Sequence, residues 1–288
     1  MGNMMLPWAR CFLWCKDTGA TMIAPAWRQL RIGQYLRRET DKRAYHRLWS
    51  SQGYVRGFRR ALLLASAPRI PETQATDSRV TRSKTIVMFH GYETYFQEIR
   101  GRHAEIEREM RRVSRIALPS LTRTGTGTIG IHVRLGDFSI APGNVATAPG
   151  RNWRLPLEWY VSALREIRKV CGVCAPARVF SDGKATELAP LLNEPAVSLV
   201  PQGPATYDLL LLAQCDVIIA SGSTFSMWGS FLGQRPTLWY PGQRRQSVVD
   251  ADIDLEPDYS PEAGFPTAFQ EALAARLGTA AMARAAGQ

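Results

Sequence analysis

Strands alternating with helices predict an α/β fold for this 288-residue chain, built as two Rossmann-like halves that face a cleft. Three observations carry that expectation. Residues 128–138, TIGIHVRLGDF, open with Ile129, Ile131 and Val133 at period 2 and then release Arg134, Gly136 and Asp137. Two further apolar runs, residues 177–180 and 217–220, release Ser181-Asp182 and Ser221-Gly222-Ser223-Thr224. Helical patterning lies between these runs, which is what parallel strands joined by right-handed crossovers require. In open sheets of this kind ligands sit in the crevice outside the carboxyl ends of the strands.

The elements follow in chain order. Leu6, Ala9, Phe12 and Leu13 recur at helical spacing, and Gly19 is placed to end that helix. Residues 21–24 read as a short strand. Residues 26–60 are basic and aromatic, with short helices and loops expected, and residues 67–83 form a polar, Pro-containing connection. Residues 85–89 read as a strand releasing His90-Gly91-Tyr92, and residues 95–115 as one charged helix with Glu105 and Glu109 on its faces. Pro119 and the Thr/Gly run 122–128 mark the domain boundary, giving halves of residues 1–121 and 122–288. Beyond the central stretch, residues 139–152 form a Pro/Gly/Ala loop. Helices are expected at 157–170, 187–192, 208–214, 225–232 and 266–286, and a last strand at 236–239.

Composition narrows the classes. Hydrophobic residues make up 45% of the chain, and no apolar run approaches the length of a membrane span. Residues 4–15 lack a basic lead-in and are broken by Pro7 and Arg10, so no signal peptide is expected and the chain reads as cytoplasmic. Five cysteines fit a reducing compartment, and CGVC at 171–174 has no second pair with which to hold zinc. The formal charge is +11, and residues 1–123 hold 23 of the 36 Lys and Arg against 10 of the 25 Asp and Glu. Such a bias suits an ordinary solvated face, or else an acidic or membrane-associated partner, peripheral contact with the inner membrane surface included. No nucleic-acid-binding signature accompanies it, and no nucleic-acid partner is expected.

The chemistry gathers at three strand ends. Arg134 carries a permanent charge on a planar fork suited to phosphate oxygens. Gly136 permits a close backbone approach. Asp137 can hold the Arg, accept from a sugar hydroxyl or act as a base. Asp182 can bond a base edge or a ribose hydroxyl. Ser223 and Thr224 open a helix whose first N–H groups make an anion site, and they also suit plain N-cap duty. A basic fork, a carboxylate and a helix start in one crevice describe a nucleoside-diphosphate pocket. His46 and His103 lie in charged stretches and are expected at the surface.

The order IHVRLGD, VFSD, DLLLLAQCDVIIASGSTFSMWGSFLG resembles the α-1,2-fucosyltransferases and the wider fucosyltransferase superfamily, bacterial type. Gly2-Asn3-x-Met5 and His90-Gly91-Tyr92-x-x-x-Tyr95-Phe96 resemble the family's opening segments, so matching blocks cover residues 2–240. The resemblance implies a GT-B fold, GDP-fucose as donor, a glycan or lipid-linked glycan as acceptor, inversion at the sugar carbon, and no metal or other cofactor. It places Arg134 on the diphosphate, His132 near the guanine, Asp182 on a nucleotide contact, and Ser223, Thr224 and Phe225 on the phosphate-binding helix start. Asp137 is the first candidate base and Glu93 the second. Leu135, Gly222 and Met227 depart from the family's Arg, Asn and Trp. The family also has a strand ahead of its opening turn, so either an upstream start or loss of that strand is expected.

Two alternatives keep their place. Asp250-Ala251-Asp252-Ile253-Asp254 contains overlapping DxD triplets of the kind that hold a divalent metal in other transferases. A degenerate, non-catalytic homologue would bind a nucleotide or anion without turnover.

Overall fold

The computed structural model describes residues 2–26, 47–75, 84–121, 127–141, 143, 145, 152–172, 174–251 and 253–278. The expectations for His46, Asp252, most of residues 26–46 and the end of the last helix lie outside them. The chain divides into two compact units, Met1–Leu118 and Pro119–Gln288.

In the first unit α1 (Gly2–Thr18) buries Met5, Leu6, Trp8, Ala9 and Leu13, the stripe that its periodicity predicts. Trp8 stacks on Trp49 with centroids 6.0 Å apart. Residues 21–24 make only an isolated parallel bridge, Ile23 to Val55, rather than a strand. Then come α2 (Gly57–Ser66), β1 (Arg69–Pro71) and β2 (Ile86–Met88), with β1 and β2 paired in parallel. The connection expected at 67–83 thus contains a strand, and its Pro71 is tolerated because β1 is an edge strand on which residue 71 faces away from β2.

The single helix expected at 95–115 is a short 3-10 turn, Gln97–Ile99, followed by α3 (His103–Val113). Gly101 at φ 75° breaks the path between them. His103 is half-buried rather than on the surface. Glu109 is buried too, held by two N–H groups of Arg112 at 2.6 Å and by the Tyr54 hydroxyl. Burial, then that carboxylate, pushes the Tyr54 hydroxyl's pKa upward. Arg10, 5% exposed, forks onto Glu72 at 2.8 and 3.0 Å and donates to the His90 carbonyl at 2.7 Å.

The second unit is a five-stranded parallel sheet. Its strands are β3 (Ile129–Val133), β4 (Ala177–Ser181), β5 (Val197–Leu199), β6 (Val217–Ile219) and β7 (Thr237–Leu238), in the order β5-β4-β3-β6-β7. The helices are α4 (Leu157–Cys171), α5 (Ala189–Leu192), α6 (Ala205–Gln214), α7 (Thr224–Gly233) and α8 (Thr267–Leu273). Parallel strands with helical crossovers are the α/β class that the alternation predicts. β3 is buried along its whole length.

Alternation along β3 assigns its two faces. Ile129, Ile131 and Val133 join a core with Tyr160, Ala163, Leu164 and Ile167 of α4 and Phe269 of α8. Gly130 and His132 take the other face. A β-carbon at Gly130 would lie 2.8 Å from Leu212 Cδ1 and 2.9 Å from Cys215 Sγ, so glycine there lets α6 lie close against the sheet. The chain builds β3, β4 and β5 outward in one direction, then crosses to the other side of β3 for β6. That reversal opens a crevice at the carboxyl ends of β3 and β6.

Candidate functional site

Arg134, the first residue past β3, has a side chain 23% exposed. Its Nε and one terminal nitrogen donate to Asp137 Oδ1 at 2.9 and 2.6 Å. The other terminal nitrogen lies 2.7 Å from Asp182 Oδ2. Asp182, just past β4, accepts the Leu135 N–H on its remaining oxygen at 2.8 Å. One cation thus sits between two carboxylates, and the Asp182 carboxylate fastens the β3 loop to the end of β4.

Small residues permit this closeness. A β-carbon at Gly136 would meet Asp182 Oδ2 at 2.4 Å, and one at Gly183 would meet Leu135 Cδ1 at 2.4 Å. Leu135 is 6% exposed and belongs to the apolar core. Its side chain therefore supplies packing at the position where the resembled family carries a second Arg.

The other wall of the crevice is the start of α7. Ser223 is its N-cap, at φ −101° and ψ 153°, and its hydroxyl accepts the Ser226 N–H at 3.4 Å. His132 points at this turn. Its Nδ1 lies 2.8 Å from Ser226 Oγ, 2.9 Å from Ser221 Oγ and 3.4 Å from Ser223 Oγ. Phe225 stacks on the imidazole with centroids 4.7 Å apart and planes 28° from parallel. Burial first, and the Arg134 charge second, push the His132 pKa from 6.5 down to about 3, while Asp182 works the other way. The ring is neutral at physiological pH and serves as a hydrogen-bonding post between β3 and α7.

Of the residues expected at the site, His132, Arg134, Gly136, Asp137 and Asp182 gather at the ends of β3 and β4. Ser223, Thr224 and Phe225 form the first turn of α7, with Thr224 and Phe225 half-buried. Glu93 is exposed in the first unit, its carboxylate folded over Gly91. Ser221 was read from the sequence only as the first residue released after the 217–220 run, and Ser226 was given no role, yet the hydroxyls of both meet His132. The density of hydroxyls in SGSTFS was the available signal. Sequence reasoning passed over Gln243, whose Oε1 lies 2.5 Å from where a Gly222 β-carbon would be. Gln243 fills the space that the Asn of the resembled block would need, and Met227, the other departure, is 1% exposed in the core.

The acidic stretch has structural work. Asp254 pairs with Arg244 at 3.0 Å and accepts the Glu256 N–H at 2.9 Å. No group of three or more His, Cys, Asp or Glu able to hold a metal ion occurs among the described residues. Cys171, pushed up to about 11 by burial, and Cys174 are both free thiols.

No family model and no curated protein matches the chain. Among solved structures it is similar to the fucosyltransferase NodZ from Bradyrhizobium, with 14% identity, a TM-score of 0.47, and coverage of 82% of this chain and 90% of that one. It is also similar to NodZ α-1,6-fucosyltransferase co-crystallised with GDP, at 14% identity, a TM-score of 0.41, and coverage of 83% and 91%. A third likeness is to CalG4, the calicheamicin glycosyltransferase, at 14% identity, a TM-score of 0.28, and coverage of 58% and 42%. At these TM-scores the assignment of the fold rests on the strand order of the chain itself.

Proposed function

We propose that this chain is a glycosyltransferase of GT-B type that binds a nucleoside-diphosphate sugar in the crevice between β3 and α7. The donor we infer is GDP-fucose, its sugar passing with inversion, and without a metal, to a hydroxyl of a glycan or lipid-linked glycan. The observation that carries the reading is the placement of Arg134 and the α7 start at the sheet's reversal point, joined by His132. The donor's identity rests on the sequence blocks at 132–137, 180–182 and 208–233.

Sugar transfer from a nucleotide builds negative charge on the leaving diphosphate. A fixed guanidinium and the N–H groups of a helix start can stabilise that charge without a divalent ion. Asp137 and Asp182 hold the Arg134 fork, and an arriving diphosphate competes with them for its N–H donors. The neutral His132 adds no charge; it fixes the helix start against β3. Asp137 is the proposed base, taking the proton of the attacking hydroxyl.

Calorimetric titration with GDP, UDP and ADP, with and without Mg²⁺, tests the pocket. Metal-independent binding of GDP in preference to the other two is expected, and fucose transfer from GDP-fucose onto a hydroxyl acceptor follows from it. A UDP preference with a metal requirement would move the site to the 250–254 stretch. GDP binding with no transfer or hydrolysis would leave the non-catalytic homologue, a reading favoured by the full engagement of Arg134 with two carboxylates.

A further inference from the structure

Helix α2 (Gly57–Ser66) buries none of its ten residues. Its half-buried side is Arg60, Leu63 and Leu64, and Arg60 Nε donates to the Ala24 carbonyl at 3.0 Å, which holds that side against the first unit. The opposite side carries Phe58, Ala61, Leu62 and Ala65, the i, i+3, i+4, i+7 spacing of one helix face, and all four are exposed. Phe58 is 83% exposed and Leu62 54%. A surface helix ordinarily keeps its apolar residues for the inward side; this one presents a second apolar stripe outward, headed by an aromatic ring.

Arginines frame that stripe. Arg56 is the N-cap of α2, Arg59 lies one step around the helix from Phe58, and the Arg69 guanidinium donates to the Leu64 carbonyl in the last turn; all three are exposed. Residues 47–71 contain five arginines and no Asp or Glu. Within α2 this charge opposes the helix, because Arg59 and Arg60 stand near the positive end of its dipole with no acidic residue in the first turn. Charge so placed becomes favourable when an anion lies against the helix. A second copy set face to face on α2 would bring the same arginines. Residues 27–46 of this chain carry six Lys and Arg against two Asp and Glu, so they too would set cation against cation.

We propose that α2 is a membrane-interface helix. It lies along an anionic bilayer with Phe58, Ala61, Leu62 and Ala65 at the acyl boundary and Arg56, Arg59 and Arg69 at the lipid phosphates. At ten residues it lies on a bilayer rather than through it. The apolar stripe alone would suit a partner protein too. A border of one sign throughout is the complement of a surface of one sign throughout, which an anionic leaflet is. The aliphatic stems of the arginines can rest on the apolar stripe while their heads stay at the phosphates. The contact is independent of the nucleotide reading: α2 belongs wholly to the first unit, and no residue at the ends of β3 and β4 or at the start of α7 takes part.

Flotation of the full chain with vesicles is the test. Phosphatidylcholine vesicles containing phosphatidylglycerol should carry the protein upward, and pure phosphatidylcholine vesicles should not. Phe58→Ser/Leu62→Ser should lower the partition by ~10²-fold or more, with the unfolding midpoint unchanged because both side chains are exposed. Arg56→Gln/Arg59→Gln should lower it about fivefold for each arginine, and Phe58→Leu should retain it. No flotation, or equal flotation on the two kinds of vesicle, overturns the proposal. So does flotation undiminished by Phe58→Ser/Leu62→Ser, which would make diffuse charge on another surface the attractant. A lower unfolding midpoint in that double variant would place the stripe beneath the chain itself, and a change of sedimentation from dimer to monomer would place it between two copies. Either result also overturns the proposal.

Discussion

Gly136 lies hard against Asp182: a β-carbon on residue 136 would stand 2.4 Å from Asp182 Oδ2. Asp182 has little room to yield, because its other oxygen accepts the Leu135 N–H at 2.8 Å. Gly136→Ala should therefore push Asp182 and Arg134 apart. Misplacement by about 1 Å costs ~10²-fold in turnover, and that loss is expected in kcat with little change in the unfolding midpoint. Unchanged kcat in the alanine variant would show that the contact is incidental.

Arg134→Ala should lower turnover by ~10²–10³-fold with the fold intact, because the donor most exposed to leaving-group charge is gone. Arg134→Lys should restore little, since an ammonium cannot span Asp137 and Asp182 as the fork does. Circular dichroism and GDP titration of both variants separate lost chemistry from lost structure.

Asp137→Asn separates two roles. A base at this position predicts a fall in kcat of ~10²–10⁴-fold. GDP should bind as tightly or more tightly, because one of the carboxylates competing for Arg134 is neutralised. A parallel fall in kcat and GDP affinity would instead make Asp137 a holder of Arg134 and pass the base to another group.

His132 predicts a pH dependence of stability. Its pKa is depressed from 6.5 to about 3 by burial and by Arg134, so between these values the unfolded chain takes up a proton that the folded chain refuses. The contribution is complete above pH 6.5 and is lost as pH falls toward 3, with a slope approaching about 1.4 kcal/mol per pH unit. Denaturant unfolding between pH 6 and 4 should include this slope, and His132→Gln should flatten the dependence there by close to one proton. An identical slope in the variant would rule His132 out as its source.

Gly130→Ala should destabilise the second unit by about 1–3 kcal/mol, since the new carbon would press on Leu212 and Cys215. GDP affinity should hold, because residue 130 lies below the crevice.

What the sequence disclosed and withheld follows from the range of the interactions. β3, β4 and β6 were legible because their apolar residues are contiguous, and the α7 start because its cap is local. β5 was not, being three residues set between Pro195 and Pro201. The break at Gly101 was missed because the charged pattern continues through it. The burial of Arg10 rests on a partner 62 residues away, and that of Glu109 on Tyr54, 55 residues away, as well as on neighbouring Arg112; no periodicity reports the distant partners. At the site, Arg134, Asp137 and Asp182 were named individually, but their mutual pairing was not. Leu135 read as a missing cation, whereas its position against Gly183 makes it part of the core.

The strand order also sets a schedule on the ribosome. β3 is the central strand, with five buried residues, yet its neighbour β6 comes far later, as the bond from the Thr128 N–H to Asp216 spans 88 residues. At ~5–20 residues per second, one flank of β3 waits about 4–18 s for its partner to be synthesised. During that interval the nascent chain carries an apolar, unpaired edge of the kind that chaperones hold and that seeds aggregation. Slower elongation across residues 134–216 should lower the soluble yield more than the same slowing after residue 240.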